Sequence, residues 1–492
     1  MGLGGGGVGP SEAFYECAPG AASRALPGTY VRRNVEATLL HRVVRENLAT
    51  FLLESGQRGG LPSFVQQDFC RYLDCGVLAK GFARVACKRC KNEILVAFSC
   101  KGRGTCPSCN ARRAHDASIH LVDNVLPHAP YRQWTLSFPM PLRFLLAKDA
   151  RLFSRVLSLF VRTLFAFFRR RARALGIPKP LPGAVAFLQR FGSALQLTPH
   201  IHLLAIEGAF AQDGPESAPV RFHRLPPPGN RDVEVLLRKV VLRTIRLLGK
   251  KAPFEKTACE QDALDLLSAD AVRTPRLPFF LQGPPKPAGR RCAFLEGFSL
   301  HANTSVHANN RDGLLKLANY GARGPLSLER LCELPDGNLA YRMKRPSSSG
   351  ASVLLLKPIE LLRKLAALVP PPRTNLLRYF GVLASNSGVR RLITPCAVSP
   401  AATAPGVPEA QPAEKVQLPA TVPRRTRVPW ADLLKRTFAT DILSCKCGGR
   451  RRVVAYVVAP STTREILQHL GLPDSPPPLS KARAPPQLEL YD

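Results

Sequence analysis

The sequence predicts an α+β chain: a mainly helical N-terminal unit carrying cysteines, followed by a larger unit in which strands and helices are mixed. Three observations lead there. Arg33 to Ser55, RNVEATLLHRVVRENLATFLLES, repeats apolar residues at helical spacing. Cysteines cluster between Cys70 and Cys109. Ala184 to Phe210, AVAFLQRFGSALQLTPHIHLLAIEGAF, reads as two strands joined around Gly192 and Ser193.

In chain order, residues 1–28 are Gly- and Ala-rich with little periodicity and read as a disordered leader. The helix from Arg33 is followed by a second over Pro62 to Leu73, and the cysteine-bearing unit spans 29–125. A strand begins at Tyr131, turns at Pro139 and Pro141, and leads into a long basic and apolar helix from Asp149 to Leu175 that GIPKPLPG breaks. The strand pair follows, then a loop over Ala211 to Asn230, a helix over Val233 to Leu248, a strand in GFSLHANTSVHA and a short helix from Asp312 to Tyr320. LPDGNLAYRMKRP and SVLLLKP suggest a hairpin ahead of a helix at Pro358 to Leu368. This second unit covers 126–398, a Pro- and Ala-rich stretch at 399–428 reads as a linker, and a small C-terminal unit occupies 429–492.

The 492 residues include 70 Lys and Arg against 35 Asp and Glu, a formal net charge of +35. Such a field draws in polyanions, so nucleic acid is the expected partner. The most apolar run, Val156 to Phe168, is interrupted by Arg162 and followed by RRRAR, which excludes a membrane span. No basic region leads into an apolar core at the N-terminus, so a cytoplasmic, reducing setting is expected. There, 14 cysteines suggest metal ligation and buried thiols.

CKRC (Cys87, Cys90) and CPSC (Cys106, Cys109) form C-x2-C-x15-C-x2-C. Each pair curls around one ion and the intervening loop brings the pairs together, which predicts a structural tetrahedral zinc site with no open position. Cys70, Cys75 and Cys100 lie nearby and His115 follows in CNARRAH; one of them could replace a ligand, but burial is the expectation for each. Cys445 and Cys447 have a one-residue gap, for which no second site is expected. Lys88, Arg89, Lys101, Arg103, Arg112 and Arg113 crowd the cysteines, as in a unit that touches a phosphate backbone.

His200 and His202 flank Ile201 in a strand. Alternation puts both imidazoles on one face, a geometry that suits one metal ion.

The order CKRC, FSCKGRGTCPSCNARR, VLPHAPYRQWTLSFP, LQRFGSALQLTPHIHLLAIEGAF, FSLHAN, LANYGARGPLSLERL and LLRYFGVLA resembles the rolling-circle insertion-sequence transposases of the HUH endonuclease superfamily, from about Val31 to Leu472. The resemblance implies an antiparallel HUH-like sheet behind a zinc-binding domain, in a bacterial, nucleoid-associated enzyme that nicks and rejoins single-stranded DNA at the ends of a mobile element. It also implies that His200 and His202 help hold Mg²⁺ or Mn²⁺. Tyr320 matches the nucleophile that forms a 5′-phosphotyrosine, in a single-tyrosine form. A third polar ligand is expected for a hard cation. Gln189 is the candidate, opposite the histidines if the two strands form an antiparallel hairpin, with Glu207 second. Lys316 one turn before Tyr320 and Arg323 three residues after it would stabilise a phenolate and bind a phosphate. Gly324, Asn375 and the Cys445/Cys447 spacing depart from the family pattern. A replication initiator or relaxase with the same chemistry, and a non-catalytic zinc-dependent DNA-binding protein, are the alternatives.

Overall fold

The structure is a computed structural model that describes residues 33–212, 219–249, 263–272, 289–344, 346, 350–394, 430–438 and 441–483. The leader at 1–28 and the linker at 399–428 lie outside the described residues.

Helix α1 (Leu39–Gly56) and helix α2 (Ser63–Asp74) pack through Val44, Leu48 and Phe51 against Val65, Phe69 and Tyr72, with Phe51 and Phe69 edge to face at 6.0 Å. The first helix starts later than its periodicity suggests, because the Thr38 hydroxyl and amide both bond the Val35 carbonyl and close a turn ahead of it. Strands β1 (Phe82–Cys87) and β2 (Glu93–Ala97) form a hairpin, and α3 (Pro107–Asn124) follows with proline at its first position, where no amide hydrogen is needed.

The larger unit begins with β3 (Tyr131–Ser137), α4 (Met140–Lys148) and α5 (Ala150–Ala174). Here Pro139 and Pro141 start a helix rather than only a turn, since proline is tolerated in a first turn. Asp149 then caps α5, its carboxylate accepting from the Leu152 amide at 2.8 Å. Next come β4 (Gly183–Phe191), β5 (Leu197–Ile206), β6 (Gly208–Gln212), β7 (Val220–Arg224), α6 (Asn230–Gly249) and α7 (Ala263–Val272). The stretch read as loop after Ala211 therefore contains a strand, paired with β6. The unit continues with β8 (Cys292–Leu295), β9 (Phe298–His301), β10 (Ser305–Val306) and α8 (Arg311–Ala322). The expected hairpin is a three-stranded sheet of β11 (Leu331–Glu333), β12 (Leu339–Arg342) and β13 (Val353–Leu356), ahead of α9 (Pro358–Leu368), β14 (Leu377–Gly381) and α10 (Arg390–Ile393).

The central antiparallel sheet has the order β14-β4-β5-β3-β9-β8, with β10 also on β3. Alternation divides its side chains between two faces. Trp134, Leu136, Ala186, Leu188, Ile201 and Leu203 pack against α5 and α6. Tyr131, Val185, Phe187, Leu204 and Ile206 face the other way, toward α3 and α8. His200 and His202 lie on this second face.

The units are not independent. α1 and α2 share one core with α9, with Leu195 of the β4–β5 connection and with Leu197 at the start of β5. The C-terminal segment supplies α11 (Trp430–Phe438), β15 (Arg451–Val457) and α12 (Pro460–His469), and β15 pairs antiparallel with β1 in the order β15-β1-β2. The stretch that reads in sequence as a small C-terminal unit thus contributes a strand to the N-terminal sheet. No helix among the described residues is long and apolar enough to cross a membrane.

Within the large unit Arg132 is bound on both sides. Its Nε and Nη2 donate to Glu207 Oε1 at 3.0 and 2.5 Å, and its Nη1 to the Ala302 carbonyl at 2.7 Å. Glu207, the second candidate for a cation ligand, is thereby committed to a buried ion pair. Glu207→Ala leaves a buried guanidinium without its counter-charge and should cost about 3 to 5 kcal/mol, read from the urea midpoint. Unchanged stability would contradict that role.

Candidate active site and cysteine clusters

The β4–β5 hairpin brings Gln189 directly across from His200, and β3 puts Thr135 across from His202. His200 Nδ1 lies 2.7 Å from the Thr198 carbonyl, which fixes a hydrogen on Nδ1 and leaves Nε2 with its lone pair. That Nε2 faces His202 Nε2 at 3.1 Å. On the far side of its ring, His202 Nδ1 is 3.1 Å from both Gln133 Nε2 and Thr135 Oγ1. With the Thr135 hydroxyl oxygen accepting from His202 Nδ1, each ring is held from behind while the two Nε2 atoms converge, an outer-shell arrangement that orients metal ligands.

Burial, with the charges of Arg323 and Arg143, lowers the His200 pKa below its ordinary 6.5. Burial, then His200 and Arg323, pushes His202 down to about 3. Both imidazoles are neutral near pH 7, the form that binds a cation.

Helix α8 crosses this face. The Gln189 amide donates from Nε2 to the carbonyls of Tyr320 and Gly321, both at 2.8 Å. Those carbonyls belong to the last turn of the helix, which has no partners of its own for them. Gly321 permits the approach: a Cβ there would lie 2.7 Å from the Phe187 ring. With its amide hydrogens so used, the Gln189 side-chain oxygen is buried and has no hydrogen-bond partner among the described residues. Two convergent imidazole nitrogens and an unsatisfied amide oxygen are a donor set that fits a divalent cation.

Tyr320 packs edge to face on His202, ring centroids 5.7 Å apart. Arg323 folds back over the Tyr320 ring at 4.4 Å and donates from Nη2 toward its hydroxyl at 3.5 Å. Lys344 Nζ also lies 4.4 Å from the ring centroid. Lys316, which sequence spacing placed beside the tyrosine, is exposed one turn earlier, and Lys344 is the lysine against the ring. Lys344 lies 24 residues beyond Tyr320 in chain order and follows β12, so no local spacing could reveal it.

The cysteines group differently from the sequence expectation. Cys106 and Cys109 join Cys75 and Cys100, while Cys87 and Cys90 lie with Cys445 and Cys447. The reason is the β1–β2 hairpin. Cys87 and Cys90 are at its tip, whereas Cys75 and Cys100 flank its base, and strands of five or six residues separate tip from base by on the order of 17 Å. In the first group the sulfurs are 3.4 Å (Cys100–Cys109), 3.6 Å (Cys75–Cys106) and 3.7 Å (Cys75–Cys109) apart. A tetrahedral zinc with Zn–S near 2.3 Å needs edges of about 3.8 Å. The Cys100 and Gly102 amides also point at the Cys75 and Cys100 sulfurs, each at 3.3 Å. This buried group fits Zn²⁺. Cys70 is exposed and outside both groups.

Among the basic residues, Lys88, Arg89, Lys101 and Arg113 are exposed and Arg112 is half-buried. Arg103 is not free for phosphate in the way its position suggests: it donates to the carbonyls of Thr374 at 2.8 Å and Pro371 at 3.1 Å, tying the cysteine loop to the segment after α9.

Two family models match the chain. One, described as "Putative transposase", covers residues 183–390, and the other, "Transposase zinc-binding domain", covers residues 44–138. The first contains Gln189, His200, His202 and Tyr320, and the second all four cysteines of the buried group. In class, then, this is a DNA transposase with a zinc-binding domain. More particularly, the chain belongs to the IS91 family of transposases. No curated protein and no solved structure matches it.

The depressed imidazoles carry a pH signature. The unfolded chain takes up protons on these rings below about pH 6.5 and the folded chain does so on His202 only near pH 3, so in that window the unfolded state binds more protons and stability falls with acidification. Between about pH 7 and pH 4.5 the wild type should lose up to about 2 kcal/mol more than His202→Asn, read from urea titrations. Parallel pH profiles would remove the argument.

Proposed function

We propose that the chain nicks and rejoins single-stranded DNA at the ends of a bacterial mobile element, using Tyr320 as nucleophile on an HUH-like sheet. The observation that carries this reading is the meeting of the His200 and His202 Nε2 atoms, 3.1 Å apart, beneath the Tyr320 ring, 5.7 Å from that of His202. The antiparallel order around β5 and the helix laid across its histidine face support the HUH-like assignment.

His200, His202 and the Gln189 oxygen would hold Mg²⁺ or Mn²⁺, which when bound polarises the scissile phosphodiester. The rest falls to the chain's own groups. The Tyr320 oxygen attacks phosphorus as its proton departs, and the bond from phosphorus to the 3′ oxygen breaks. That oxygen takes up a proton and leaves as a 3′-hydroxyl, with the 5′-phosphate esterified to Tyr320. Arg323 and Lys344, each 4.4 Å from the Tyr320 ring centroid, hold that ring through contacts worth about 0.5 to 2 kcal/mol each and lie where they can offset the charge of the attacked phosphate. Rejoining reverses the exchange with a 3′-hydroxyl as attacking group, and the covalent bond conserves the energy, so no nucleotide cofactor is consumed. The exposed Lys88, Arg89, Lys101 and Arg113 would grip the DNA backbone rather than read bases.

The test is a covalent adduct. Incubated with a single-stranded oligonucleotide spanning an element end, the protein should give an SDS-resistant protein–DNA species that requires a divalent cation and is lost in Tyr320→Phe. An adduct that survives in the Phe variant would assign the nucleophile elsewhere, and no adduct with wild type would favour a non-catalytic DNA-binding protein. Lys344→Ala should keep the adduct but slow its formation by about tenfold in single-turnover assays, the order expected for a lost charge contact of about 1.4 kcal/mol.

A further inference from the structure

We infer that Cys87, Cys90, Cys445 and Cys447 hold a second zinc ion, separate from the buried Cys75/Cys100/Cys106/Cys109 site, and that this ion fastens the C-terminal segment to the N-terminal sheet. The zinc-binding family match ends at residue 138 and does not reach Cys445 or Cys447.

The sulfurs meet two by two across the chain: Cys87 with Cys447 at 3.6 Å and Cys90 with Cys445 at 3.5 Å, all four within 4.8 Å of one another. These separations approach the edge of about 3.8 Å that a tetrahedral zinc–thiolate centre requires.

Each pair is carried on a tight turn built to expose it. On one side the Cys87 amide donates to the Asn92 carbonyl at 2.9 Å and the Lys91 amide to the Cys87 carbonyl at 3.1 Å, with Lys91 at φ 60°. On the other the Cys445 amide donates to the Gly449 carbonyl and the Gly448 amide to the Cys445 carbonyl, both at 3.0 Å, with Ser444 and Arg450 bridged beneath. This hairpin explains how a one-residue gap can chelate. In extended chain Cys445 and Cys447 would share a face but diverge, and the turn bends both sulfurs onto the Cys87–Cys90 pair.

Gly449 is the third mark of a built site. A Cβ there would lie 3.0 Å from the Cys87 sulfur and 3.2 Å from the Cys447 sulfur, so the backbone closes tightly over the sulfurs and a side chain would press on them. Arg451 locks the two turns from behind, donating to the Ser444 carbonyl at 2.5 Å and to the Asn92 side-chain oxygen at 3.1 Å. Four thiolates around Zn²⁺ carry two net negative charges, and the exposed Lys88, Arg89, Lys446 and Arg450 beside them offset that charge. Unlike the buried site, this one has an exposed ligand in Cys90, so its metal is the one that chelators reach first.

The experiment is metal analysis of the full-length protein purified without chelator. Wild type should carry about two zinc ions per chain, and Cys445→Ser with Cys447→Ser about one. Gly449→Val, which keeps all four thiols, should also carry about one. Hydrogen exchange supplies the structural readout: in both variants the β15 amides should exchange at least about tenfold faster while those of α2 and β5 stay protected. One zinc in wild type, or two in the double serine variant, overturns the inference. So does unchanged β15 protection in variants that have lost a zinc, since the ion would then fasten nothing.

Discussion

One side chain sets the geometry on which the site depends. The Gln189 amide ties strand β4 to the last turn of α8, satisfying two helix carbonyls that would otherwise have no partner. Because Gln189 is paired in register with His200, the same residue fixes the helix that carries Tyr320 relative to the strand that carries the histidines. Its remaining oxygen is left buried and unsatisfied, which costs stability unless something positive lies against it. The placement of the proposed nucleophile and the oxygen offered to the proposed cation are thus two consequences of one amide.

Around this point the sheet separates its tasks by face. The side against α5 and α6 is apolar and closely packed, and it holds β3, β4 and β5 in register. The opposite side gives up part of its apolar packing to polar groups: Gln133, Thr135, Gln189, His200 and His202 occupy alternate positions on three adjacent strands. A shift of one residue in either pairing would turn these groups into the apolar layer, so the core on one face enforces the chemistry on the other.

Local pattern made much of this legible. The helices at Pro62–Leu73 and Pro358–Leu368, the two strands around Gly192 and the opposition of Gln189 to the histidines all follow from periodicity and turn residues, because each is decided within about 20 residues of chain. What sequence concealed was decided by distant partners. Cys75 and Cys100 stand alone, with no second cysteine at chelating distance in sequence, and only the base of the β1–β2 hairpin brings them to Cys106 and Cys109. Lys344 arrives from another sheet. The regular C-x2-C spacing misled for a physical reason: two such pairs imply a shared site only if the intervening chain folds back on itself, and here it runs along β2 from the tip of the hairpin to its base, carrying Cys106 and Cys109 away from Cys87 and Cys90.

The pairing of β15 with β1 bears on how the molecule is made. Strand β1 ends at Cys87 and waits for a strand that lies beyond Cys447, 360 residues further along, so during synthesis the β1 edge is exposed until nearly all of the described chain has left the ribosome. An unpaired strand edge is a template for pairing with other chains. Polypeptides that stop short of residue 451 would keep that edge open and tend to aggregate or be degraded. Interrupted copies of the gene would then yield little lasting protein to compete for the DNA that the intact chain acts upon.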